Sequence, residues 1–334
     1  MPGLPTVSVV VPTYRRRDNL AAVLRPLLDD PALTEVVVVV DGSDDGSMQL
    51  LEDLARTDPR VRPLWTPNRG GAAARQTGID AATGDVVLLL DDDVVAEPGL
   101  VTGHARHHRD ADDLVVVGYM PTRMPEPGAR GRFATRLYAE EYLSVCAAYE
   151  ADARNVLLRL WGGNVSARRS TLARVPYEAG AFARTNHSDR DFGLRCLAAG
   201  LRGVFDRSLA ATHEHVRPLP AFLRDARRQG AGRALLHSAH ADVLGPLDPD
   251  DTLAGLPGPV RALVRLDRHR GLRAVVGGAL TLVARVASRL GAERVEVAAA
   301  KVLRRLATRQ GMRDALAGPA GPVGVPDTAG TAGP

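Results

Sequence analysis

Three aspartates in a row, Asp91-Asp92-Asp93, close an apolar run that ends at Leu90. Carboxylates crowded at the end of a buried strand repel one another unless a cation neutralises them, and an oxygen shell completed by diphosphate and water is what magnesium or manganese takes. The plainer alternative is a solvated acidic turn that caps a helix starting near Pro98. A second acidic pair, Asp189 and Asp191, stands just before the apolar pattern Phe192, Leu194, Leu197. A carboxylate there can serve as a general base or simply favour a helix start. Positions 189 and 191 fall on different helix faces, so they cannot both face one substrate atom. A third grouping, His213-Glu214-His215, follows the strand-like run 203–212. Strand alternation turns only one of its histidines inward, and His213 is the expected one; the alternative is a surface histidine pair.

The elements that must position these groups follow from periodicity. The β-branched run 7–11 is closed by Pro12, and a helical pattern from near Asp18 puts Leu20, Val23, Leu24, Leu27 and Leu28 on one face. The unit recurs as strand 35–40 with helix 47–56, strand 61–65 with helix 71–82, and strand 85–90. Continuous apolar strands alternating with helices predict a parallel sheet covered on both faces. Ligands of such sheets lie beyond the carboxyl ends of the strands. The polar loops after the strands, Pro12-Thr13-Tyr14-Arg15, 41–47 and 91–93, therefore gather on one rim. A further strand, 114–119, precedes a Pro/Gly/Arg stretch, 121–132, with the character of a lid. Beyond about Pro220 the pattern is helical, and 316–334 is Gly/Ala/Pro-rich and predicted to be disordered.

Pro12-Thr13-Tyr14, Asp41-Gly42-Ser43, Asn68-Arg69-Gly70 through Ala74-Arg75, Leu90-Asp91-Asp92-Asp93, Trp161-Gly162-Gly163-Asn164 and Asp189-Arg190-Asp191 occur in this order. Over roughly 7–232 the chain resembles the family 2 glycosyltransferases. The resemblance implies a GT-A, Rossmann-like α/β domain over 1–225, a C-terminal helical extension over 226–315 and the tail over 316–334. It implies inverting sugar transfer from a nucleotide diphosphate sugar, dependent on Mn2+ or Mg2+.

It also assigns roles. Pro12, Thr13, Tyr14, Arg16 and Asp41 would bind the donor nucleotide, with Asp41 accepting from the base; a uracil or thymine imide suits it, and guanine presents a similar donor. The alternative for Asp41 is a turn-forming aspartate before glycine. Arg75 would meet the diphosphate through its fork of donors, and a surface salt bridge is the bland alternative. Asp91 and Asp92 would lie near the ribose and metal. Asp93 would be the principal metal ligand, with His213 or His215 completing the site. Trp161, Gly162, Gly163 and Asn164 would line the acceptor and sugar pocket, and Asp189, with Asp191 as the alternative, would be the base. Where the family commonly has Glu-Asp, this chain has Ser188-Asp189.

Bulk properties narrow the rest. With 334 residues, 45% hydrophobic and 25% charged, the chain can bury one large α/β domain and an appendage. Its net charge is +4, spread over scattered arginines with Lys301 the sole lysine, which excludes the usual nucleic-acid footprint. Cys146 and Cys196 have no metal-ligand spacing, predicting free thiols in a reducing compartment. No signal peptide is read at the N-terminus, and the apolar stretch 274–284 is shorter than the ~20 residues of a spanning helix. The expected location is cytoplasmic. The basic amphipathic stretch 261–309 suits either packing on its own domain or peripheral contact with a membrane. The acceptor is left open among a glycan, a lipid-linked, a peptide or a small-molecule acceptor. A nucleotidyltransferase would carry a glycine-rich loop after the first strand, and a non-catalytic nucleotide-sugar binder would lack the base.

Overall fold

The computed structural model describes residues 3–178, 180–182, 187–214, 216–265 and 269–317. His215 and residues 318–334 lie outside the described residues. The first half follows the alternation: β1 (Val7–Thr13), α1 (Arg17–Leu28), β2 (Leu33–Asp41), α2 (Ser47–Thr57), β3 (Val61–Thr66), α3 (Gly71–Ala81) and β4 (Val86–Leu90). β1, β2 and β4 are buried along nearly their whole length because helices cover both faces.

After β4 the order becomes irregular: β5 (Val94–Ala96), α4 (Leu100–His107), β6 (Leu114–Tyr119), α5 (Arg132–Ala151), α6 (Arg154–Leu158), β7 (Asn164–Arg168), α7 (Arg169–Arg174), α8 (Ser188–Ala198) and β8 (Arg202–His213). The sheet order is β3-β2-β1-β4-β7-β6-β8-β5. β7 runs antiparallel to both β4 and β6, and β5 antiparallel to β8, so the sheet is mixed and not all-parallel as predicted. The reason lies in β7. Its buried positions include Asn164 and Ser166, so it has no apolar run to read.

Two histidines make that burial possible. His104 Nδ1 and His108 Nε2 each lie 2.8 Å from Ser166 Oγ, and His104 Nε2 lies 2.9 Å from Asn164 Oδ1. Burial pushes His104 down to about 4 and His108 down to about 3, so both are neutral at physiological pH.

The C-terminal part is helical: α9 (Leu219–Ala239), α10 (Ala241–Leu244), α11 (Gly258–Arg265), α12 (Arg270–Arg289) and α13 (Glu293–Ala317). α9 is continuous across position 225, so the expected domain boundary falls inside a helix, and α13 carries helix through Leu316 and Ala317. α13 lies against α9 and α5, with Phe133, Leu137, Phe222, Val297 and Ala300 between them. The α9–α13 crossing is close because a Cβ on Gly230 would strike the Thr308 carbonyl and one on Gly311 the Arg227 carbonyl.

Candidate active site

The carboxyl ends of β1, β2 and β4 bring the sequence-predicted residues to one rim. Asp41, at the end of β2, is buried and accepts from two backbone amides, Arg69 N at 2.8 Å and Gly70 N at 2.9 Å. Both oxygens thus hold the loop that leads into α3, while Asn68 Nδ2 donates to the Asp41 carbonyl at 3.1 Å. These bonds tie Asp41 to a loop 28 and 29 residues away and not to the local turn before Gly42. After β1, Thr13 is buried, and Tyr14 lies beneath the Arg15 guanidinium, 5.2 Å from its ring centre. Arg15 adopts a left-handed φ of 54°, a strained conformation for a side chain of this kind.

The three consecutive aspartates do not converge. Asp91 turns to Arg75, with which it forms an ion pair. Burial works against the Arg75 charge, but Asp91, Tyr177 and Asp189 outweigh it and hold its pKa above the usual arginine value. Asp92 is pushed up to about 6 by burial and by the neighbouring Asp93 charge. Asp93 faces His213, with Nε2 3.3 Å from Oδ1, and Arg16, whose Nη2 donates to Oδ2 at 3.2 Å. Burial alone would raise the Asp93 carboxyl, but His213, Arg16 and Arg217 overcome it and hold it at about 2.

His213 ends β8 opposite Val94 of β5, and its backbone carries the start of the 121–132 stretch. His213 N donates to the Pro121 carbonyl, and Arg123 N to the His213 carbonyl, each at 2.9 Å. Among the described residues no three His, Cys, Asp or Glu side chains form a group able to hold a metal alone. Asp93 and His213 are one carboxylate and one imidazole on the rim. That donor set fits a magnesium or manganese ion whose remaining ligands are diphosphate oxygens and water.

The catalytic aspartate predicted from sequence reaches the same rim through two glycines. Asp189, in the first turn of α8, accepts at Oδ2 from Gly162 N (2.9 Å) and at Oδ1 from Tyr177 Oη (2.9 Å) and Ser188 Oγ (3.1 Å). A Cβ on Gly162 would stand 2.8 Å from the Asp189 carboxylate, and one on Gly163 2.8 Å from Asp91 Oδ2. Gly163 also needs its left-handed φ of 100°. The Gly-Gly pair is therefore the passage that lets the two carboxylates close in.

Asp191 points elsewhere. It is buried and bonds Arg195 Nε (2.9 Å) and His240 Nε2 (2.8 Å), tying α8 to the end of α9. Asn164 is fully buried and engaged by His104 and the Leu209 carbonyl, so it supports the Gly-Gly turn from behind. Trp161 donates its indole N–H to Tyr138 Oη at 2.9 Å and its backbone N–H to Tyr149 Oη at 3.0 Å.

Sequence reasoning missed Tyr138, Tyr177 and Arg217. Tyr138 packs edge-on against both Trp161 and His213, linking acceptor-side and metal-side residues. The spacing of Tyr138 and Tyr142 on α5 was a legible signal of one aromatic face. Nothing local marked Tyr177 or Arg217.

Residues 8–159 match the profile described as Glycosyl transferase family 2. The putative glycosyltransferase EpsH of Bacillus subtilis (strain 168) is 32% identical over 116 residues, 34% of each chain. The glucosyl-dolichyl phosphate glucuronosyltransferase of Haloferax volcanii is 29% identical over 175 residues, 51% of this chain and 54% of that one. The chain spans about a third of the length of the curated relatives it matches first. Among solved structures, the mannosyltransferase PcManGT from Pyrobaculum calidifontis, in complex with GDP-Man and Mn2+, superposes with a TM-score of 0.55 over 89% of this chain and 86% of that one, at 18% identity. That likeness is one of fold.

Proposed function

We propose that this chain, whose residues 8–159 match the glycosyl transferase family 2 profile, transfers a sugar from a nucleoside diphosphate sugar to an acceptor hydroxyl, with inversion at the anomeric carbon. The observation that carries the reading is the pairing of Asp189 and Asp91 across Gly162-Gly163. It sets a proton acceptor beside a donor-side carboxylate on the rim where such sheets bind nucleotides. In one displacement the acceptor hydroxyl gives its proton to Asp189, its oxygen bonds the anomeric carbon, and the diphosphate leaves with the electrons of the broken C–O bond. Tyr177, Ser188 and Gly162 N orient the base. Arg75 and Arg16, now paired with Asp91 and Asp93, offer their charge to the leaving diphosphate. A divalent cation held by Asp93 and His213 would supply further charge neutralisation at that group. The base of the donor rests on Asp41, which suits uracil or thymine. The name of the Haloferax relative supports a lipid-linked acceptor.

The test separates binding from chemistry. Asp189→Asn keeps the shape and the helix start, so nucleotide binding should persist while turnover falls by about 100-fold or more, read as released nucleoside diphosphate over a donor panel. Wild-type turnover in this variant would move the base elsewhere. Excess EDTA and Asp93→Asn should each stop turnover, and manganese or magnesium should restore only the chelated wild type. Full activity in EDTA would remove the cation from the reading.

A further inference from the structure

α12 is apolar on two sides. Val276 and Leu280 pack with Leu253, Val264 and Leu306, and Ala284 and Ala287 are buried alongside. The flank beside that packed face is bare. Val275 is 68% exposed, Leu282 64% and Leu290, just past the helix, 77%, and Leu272, Val283 and Val286 join them. At 100° per residue these six side chains share an arc of roughly 100°. None of the six belongs to a hydrophobic cluster among the described residues. Its charges have one sign: Arg273, Arg285 and Arg289 lie on the helix, and the sequence over 268–292 contains no Asp or Glu. Arg285 and Arg289, both exposed, are four residues apart beside the stripe.

We infer that this face docks in the plane of an anionic phospholipid bilayer, aliphatic stripe in the acyl boundary and arginines among the headgroups. The sequence expectation of an apolar stretch too short to span is revised by the helix itself. Gly271–Arg289 has a mean hydropathy of 1.3 and is long enough to cross. Spanning, however, would carry Arg273 and Arg285 into hydrocarbon and strip Val276 and Leu280 from their partners on α11 and α13. Lying in the plane keeps both. A second copy on the same stripe would face arginines with arginines, since a two-fold contact repeats the same patch. An anionic surface answers that charge.

The experiment is flotation of the full chain with phosphatidylcholine vesicles, with and without phosphatidylglycerol. Binding should require the anionic lipid and weaken with salt. Val275→Glu with Leu282→Glu should cut partition by roughly tenfold or more, and Arg285→Gln with Arg289→Gln by less. Leu282→Trp reads the same contact independently of those losses, because its fluorescence should shift to the blue on adding anionic vesicles. Absence of wild-type flotation, flotation unchanged by the Glu pair, or no Trp shift overturns the inference. So does equal binding to neutral vesicles, resistance to alkaline carbonate extraction, which indicates spanning, or a dimer that the Glu pair dissociates, which gives the face to a second copy. The test needs no sugar donor, so it stands apart from the proposed activity.

Discussion

The rim of the sheet and the helical extension use glycine in the same way and to different ends. At the rim, Gly162 and Gly163 leave room for two carboxylates, whereas at the α9–α13 crossing Gly230 and Gly311 leave room for backbone. Charge follows the same division. On the rim Asp93 pairs with His213 and Arg75 with Asp91, and Asp93, His213 and Arg75 are largely withdrawn from water; in the extension Arg309, held by Asp250, is comparably buried, but pairs such as Lys301–Glu140 and Arg227–Asp314 are exposed and contribute little to stability. A missing side chain thus builds chemistry in one region and packing in the other.

That contrast can be broken most sharply at Gly163. Gly163→Ala adds a methyl against Asp91 Oδ2 and Met120 Sδ at a φ that L-residues resist. Turnover should fall by roughly 100-fold, since misplacing a reacting group by about 1 Å costs that much, with thermal stability lowered by only about 1–2 kcal/mol. Retained turnover would show that the rim tolerates separation of its carboxylates. Gly311→Ala should do the reverse. Its methyl meets the Arg227 carbonyl, so unfolding should ease by about 1–3 kcal/mol, while kcat of the folded fraction holds within about twofold. A large loss of kcat without loss of melting temperature would mean that the helix pair shapes the site.

The sheet half should also show a pH response that leaves the site chemistry untouched. His104 and His108 have folded pKa values lowered to about 4 and about 3 from 6.5, chiefly by burial. The unfolded chain therefore binds more protons below pH 6.5, and stability, complete above that value, declines as pH falls toward 4. Each histidine contributes up to about 1.4 kcal/mol per pH unit in that window. Melting curves from pH 7 to 5 check this, and a flat midpoint would remove the buried pair from the stability of β7.

Much of the first half was legible because its signals are local. Unbroken valine runs such as Val36 to Val40 can be buried only in a covered strand, and each ends where a polar residue begins, so β1 to β4 and the positions of Asp41 and Asp91 follow from the chain itself. The direction of β7 did not, because Asn164 and Ser166 look solvated until His104 and His108 arrive from α4, about 60 residues away in sequence. Nor did the fates of the neighbouring acids. Asp91 and Asp93 are two residues apart, and only the tertiary fold sends one to Arg75 and the other to His213. Asp189 and Asp191 likewise part, the first to Gly162 and Tyr177, the second to His240. The sequence by itself determined which residue types reach the rim, through periodicity and strand ends. The tertiary structure decided which of them meet, because those partners come from segments tens of residues distant and no local pattern encodes a contact made across the sheet.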